Sequence, residues 1–149
     1  MNRRAFCIHA CGAVSVAAVG GLNQACSKTA TSPSSASNLP SVNGSVSGRT
    51  ITVTIDSSSP LATVGGAALV QTSAGALLAA RTAQDTVTAV SAACTHESCV
   101  VSGVSGSNYV CPCHGSVFTF SGSVVQGPAT RALTTLAAQL SGNTLTVSF

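Results

Sequence analysis

Two short stretches constrain this chain more than anything else in it: "CTHESC" at residues 94–99 and "CPCHGS" at residues 111–116. Together they hold four thiols and two imidazoles. Fourteen residues separate His96 from Cys111, enough for a hairpin that returns the second stretch beside the first. The fold must therefore present two loop tips side by side. Two thiolates with two imidazoles suit a tetrahedral zinc ion. They also suit a two-iron cluster, with thiolates on one iron and imidazoles on the other. Cys99 and Cys113 lie one in each stretch, and in an exported chain they would oxidise and staple the loops together.

From Arg49 onward the pattern is β. In "TITVTID", Ile51, Val53 and Ile55 alternate with polar residues, the period of a half-buried strand. "AALVQT", "ALLAART", "TVTAVSA", "NYVC", "SVFTF", "SVVQ" and "TLTVSF" follow, separated by turn signals such as "SAG", "SGSN" and "SGN". "RALTTLAAQL" reads as strand with a turn rather than as a short helix. The expected class is all-β, a sandwich or barrel, over residues 49–149.

The chain of 149 residues carries six Lys and Arg and three Asp and Glu, with no basic face and few aromatics. Nucleic-acid binding has no support. With three acidic residues, carboxylate catalysis is excluded, and no nucleotide loop or Ser-His-Asp order is present. No signature of a substrate pocket of its own is present, so the chain does not read as an enzyme alone.

Residues 1–26 read as an export signal. Arg3 and Arg4 precede an apolar stretch from Ala10 to Leu22, which is 13 residues long and too short to span a bilayer. The Arg pair followed by Phe6 resembles the twin-arginine signal, which exports folded proteins. "LNQAC" ends in Cys26, the candidate lipid site of a lipoprotein; the alternative is an uncleaved N-terminal anchor. Residues 27–48 hold eight Ser and two Pro with almost no large apolar side chain, so a flexible linker is expected there. The expected localisation is the periplasmic side of a bacterial membrane.

"CTHESC", "CPCHGS" and the later "GPA" at 127–129 closely resemble the Rieske iron-sulfur family, over about Leu61 to Phe149. The resemblance implies small stacked antiparallel sheets with a [2Fe-2S] cluster at one exposed tip. It implies that Cys94 and Cys111 hold the inner iron, and that His96 and His114 hold the outer iron and reach solvent. It makes Cys99–Cys113 a disulfide and Gly127, Pro128 and Ala129 a shielding loop. Ser116 matches the serine whose hydroxyl bonds a bridging sulfide. High-potential members carry a Tyr two residues later, and here Phe118 stands in its place, so an intermediate potential is expected. Subunits of cytochrome bc-type complexes usually have Leu-Gly where this chain has Glu97-Ser98, which places a charge beside an exposed ligand.

Three functions follow. The first is a membrane-tethered carrier between redox proteins such as a cytochrome or an oxidoreductase. The second is a subunit of a quinol-oxidising bc-type complex or of an arsenite-oxidase-type enzyme. The third, of another class, is a zinc-stabilised binding module with no redox role.

Overall fold

The computed structural model describes residues 36–149. They form thirteen strands and, among the described residues, no helix. In chain order the strands are β1 (Ser37–Asn38), β2 (Ser41–Asn43), β3 (Ser45–Ser47), β4 (Thr50–Thr54), β5 (Ala67–Thr72), β6 (Gly75–Ala83) and β7 (Thr86–Ser91). They continue with β8 (Gly103–Ser105), β9 (Asn108–Val110), β10 (Val117–Thr119), β11 (Val124–Gln126), β12 (Thr135–Ser141) and β13 (Thr144–Ser148).

Two sheets result. A small one runs β1-β8-β9-β10-β11, and a large one runs β2-β5-β6-β7-β12-β13-β4-β3. All pairings are antiparallel except β2 with β5. The two ends of the large sheet, β2 and β3, are consecutive in the chain, with only Gly44 between them. A Cβ on Gly44 would come within 2.8 Å of Ile51 on β4 and 3.1 Å of Val70 on β5. The chain itself thus ties one edge of the large sheet to the other, and a residue without a side chain is needed at that seam.

The apolar runs explain how the sheets pack. "AALV" in β5 and "LLAA" in β6 do not alternate with polar residues, because β5–β7 are buried on both faces. Ala68, Val70, Leu77 and Ala79 face one core with Ile51, Val53, Leu145 and Val147. Their neighbours Ala67, Leu69, Leu78 and Ala80 face a second core, with Tyr109 and Phe118 from the small sheet and Phe120 just after β10. By contrast β4, with its strict alternation, buries only Ile51 and Val53. "TLAAQLS", expected as strand, is β12.

The linker expected over residues 27–48 needs correction in its second half. Residues 37–47 are three strands that pair with both sheets. Leu39 lies between β1 and β2, is 7% exposed in the second core, and its N–H donates to the Ser102 carbonyl at 2.8 Å. Composition pointed to coil because these residues bury little. Their order comes from backbone hydrogen bonds to β4, β5 and β8, which composition does not reveal. The expected export signal at Arg3 and Arg4 and the expected lipid site at Cys26 lie outside the described residues.

The loop between β4 and β5 is fastened from inside. Arg81 Nη1 donates to the carbonyls of Leu61 and Ala62, each at 3.2 Å, and Nε donates to Gln84 at 3.0 Å. Leu61 is fully buried. Gly66 closes the loop so tightly that a Cβ there would lie 1.8 Å from the Pro60 carbonyl oxygen.

Candidate metal centre

The small sheet ends in loops at one tip. The first loop lies between β7 and β8 and contains Cys94–Cys99. The second lies between β9 and β10 and contains Cys111–Ser116. Both have the same backbone. In the first, Ser98 N–H donates to the Cys94 carbonyl and Cys94 N–H to the Cys99 carbonyl, both at 2.8 Å. In the second, Gly115 N–H donates to Cys111 at 3.0 Å and Cys111 N–H to Ser116 at 2.8 Å. The fifth residue of each loop is left-handed, with φ 57° at Ser98 and 73° at Gly115. Glycine takes that conformation freely, whereas serine holds it at a cost.

This shared turn directs the first cysteine of each loop inward. Cys94 and Cys111 are buried free thiols. Burial pushes the Cys111 thiol up from its ordinary range, and the adjoining Cys94 thiol pushes it further, while the N–H groups of Cys113 and His114 pull it back. Those two donors favour a thiolate sulfur. Cys99 and Cys113 are joined by a disulfide that ties the loops together, with Cα atoms 6.5 Å apart.

The imidazoles face outward. His96 and His114 are exposed, with ring centroids 5.0 Å apart and planes nearly perpendicular. Glu97 Oε2 lies 3.7 Å from His114 Nδ1. The donor atoms of His96, Glu97 and His114 all lie within 4.8 Å of one another.

A third loop follows β11 and closes over the tip. It contains the cis Gly127–Pro128 bond. Ala129 N–H donates to Ser116 Oγ at 3.0 Å, and Thr95 Oγ1 donates to the Arg131 carbonyl at 2.6 Å. Gln126 Nε2 reaches the Gly115 carbonyl at 3.3 Å. The Thr95 latch and the Glu97 contact with His114 were not foreseen in the sequence. The only signal for either was a polar residue next to a ligand candidate.

Ser116 is the buried polar side chain of the centre, fully enclosed. Its oxygen accepts from Ala129, and its own hydrogen has no acceptor among the described residues. Phe118, two residues on along β10, is fully buried opposite Tyr109. The Tyr109 hydroxyl is buried without a hydrogen-bond partner among the described residues, and burial raises it above the ordinary phenol range.

Two enclosed thiols in contact, two exposed imidazoles and one buried hydroxyl with a hydrogen to give make an asymmetric donor set. One end suits an iron held away from solvent by sulfur, and the other an iron held at the surface by nitrogen. A two-iron cluster fits these residues.

A family model described as the Rieske [2Fe-2S] domain matches residues 50–137. The cytochrome b6-f complex iron-sulfur subunit of Chlorobaculum thiosulfatiphilum is 40% identical over 63 residues, covering 42% of this chain and 35% of that protein. The subunit of the same name from Prochlorococcus marinus (strain MIT 9211) is 53% identical over 45 residues, 30% of this chain and 25% of that protein. The match thus spans about a third or less of the length of these curated relatives. Among solved structures, the complex of reduced oxygenase and oxidized ferredoxin in carbazole 1,9a-dioxygenase aligns with a TM-score of 0.52. It is 23% identical and covers 65% of this chain and 92% of that chain, a likeness of fold.

Proposed function

The chain belongs to the Rieske [2Fe-2S] domain family, which binds a [2Fe-2S] cluster, and from that premise we propose that it is an exported, membrane-tethered electron carrier. Cys94 and Cys111 would hold the inner iron, and His96 and His114 the outer one. The observation that carries this reading is the pairing of two buried thiols with two exposed imidazoles on loops joined by a disulfide. When bound, the cluster takes up one electron, and imidazole in place of two thiolates makes it less negative and easier to reduce. The chain's own residues do the rest. The disulfide and the Thr95 latch hold the loops in register, Ser116 offers its hydrogen to the centre, and the third loop excludes water.

Export is supported by Arg3, Arg4 and the short apolar stretch behind them, and by a disulfide of the kind that persists in oxidising compartments. Tethering is supported by Cys26 or an uncleaved anchor. From residue 37 onward the chain is built into the sheets. The electron partners are redox proteins such as a cytochrome or an oxidoreductase. A second reading, as subunit of a quinol-oxidising complex, is favoured by the names of the curated relatives. Glu97 at the tip weighs against it, because an uncharged quinol pocket would have to bury a carboxylate.

Redox titration followed by EPR across pH tests the reading. The expected result is a one-electron centre with the EPR signal of a reduced two-iron cluster. A colourless protein with stoichiometric zinc would overturn it. Stable co-purification with a cytochrome b would favour the second reading.

A further inference from the structure

The tip that carries the imidazoles is nearly free of full charges. The described residues hold only Arg49, Asp56, Arg81, Asp85, Glu97 and Arg131 as charged groups other than histidine and the terminus. Arg49 bonds the Phe149 carbonyl, Arg81 is spent on backbone carbonyls, and Asp56 accepts from Ser58. Asp85 lies in the turn between β6 and β7. Two remain at the tip. Glu97 is 60% exposed and stands against His114. Arg131 is exposed on the third loop, where Thr95 holds its carbonyl.

The surface around them is otherwise uncharged. Pro112 and Pro128 are exposed. Val100, next to Cys99 in the first loop, and Val125, on the strand whose Gln126 bonds Gly115, are two of the four large apolar side chains exposed among the described residues. A partner close enough to exchange electrons through the imidazoles must also strip water from Glu97. An apolar pocket would leave that carboxylate unpaired and pay its full desolvation. A cation opposite it turns the same contact into attraction and steering.

Resting on the electron-transfer reading above, we infer that this tip docks a redox protein that presents a lysine or arginine to Glu97 within an otherwise uncharged contact face. Arg131 repels that same cation, so the two charges set the register in which the partner lands.

Charged inorganic oxidants stand in for the partner in the test. The reduced holoprotein is oxidised at low ionic strength by tris(phenanthroline)cobalt(III), a cation, and by ferricyanide, an anion. Stopped-flow rates are compared for the parent and Glu97→Gln. The ratio of cation rate to anion rate should fall on the order of tenfold in the variant. Any change in driving force acts on both oxidants in the same direction and largely cancels in the ratio. The difference should shrink in about 0.5 M salt. Arg131→Gln should move the ratio the other way, and Glu97→Lys should lower it further than Glu97→Gln. A ratio unchanged within about twofold in both Glu97 variants, with the reduced-cluster EPR signal intact, overturns this inference alone. Absence of that signal from the parent protein overturns the electron-transfer reading and this inference with it.

Discussion

Replacing Ser116 by alanine separates two roles of one hydroxyl. Ser116 is fully buried, and its oxygen accepts the Ala129 N–H at 3.0 Å. The variant leaves that N–H enclosed without an acceptor, which costs about 1–3 kcal/mol. For a domain of this size, a loss near 2 kcal/mol lowers Tm by roughly 10 °C. The hydroxyl hydrogen points to the second effect, since no protein acceptor among the described residues uses it. Donated to the cluster, it stabilises the more electron-rich reduced state. A hydrogen bond to a charged group contributes about 1.5–3 kcal/mol. If about 1 kcal/mol of that differs between oxidation states, the one-electron midpoint moves by roughly 40 mV. Ser116→Ala should therefore lower both Tm and midpoint. Calorimetry on the oxidised holoprotein reads the first and an EPR-monitored titration the second. An unchanged Tm refutes the Ala129 argument. An unchanged midpoint, with the cluster signal intact, refutes the donor argument.

Four further variants bear on neighbouring residues. Phe118→Tyr should raise the midpoint on the order of 50 mV by restoring a second donor; an unchanged midpoint with the new hydroxyl at a ligand sulfur would sink the idea. Ser98→Gly should stabilise the protein by about 0.5–1 kcal/mol, because glycine takes the left-handed φ of 57° without strain; a lower urea midpoint would contradict this. Gly66→Ala should cost more than about 2 kcal/mol, since the Pro60 carbonyl sits 1.8 Å from the new Cβ and backbone must move; a Tm within 2 °C of the parent, roughly the shift of half a kcal/mol, would count against it. Tyr109→Phe removes a buried hydroxyl with no partner among the described residues and should stabilise by about 1 kcal/mol with the midpoint unmoved; a loss of stability would reveal a partner.

The centre was more legible in the sequence than the frame around it. Cys94, His96, Cys99, Cys111, Cys113 and His114 could be read because thiol and imidazole are scarce groups, and each loop packs its donors within six residues. The inward direction of Cys94 and Cys111 follows from one repeated turn whose hydrogen bonds close within five residues. The contact of Glu97 with His114 could not be read, because it crosses between loops. The Thr95 latch could not either, since its acceptor is a backbone carbonyl 36 residues away, and carbonyls carry no sequence signature.

The sequence by itself carried the two cysteine-and-histidine stretches, the all-β class and most strand positions. Those depend on residue chemistry and on the period-2 burial of Val, Ile and Leu, both local properties. Tertiary structure alone decided what residues 37–47 do. Read as Ser-rich linker, they close the large sheet through Gly44 and add an edge strand to the small one. Their order rests on hydrogen bonds donated and accepted by β4, β5 and β8, and on one buried side chain, Leu39. Backbone donors and acceptors are the same in every residue, so which strand they meet is settled only when the rest of the chain is in place.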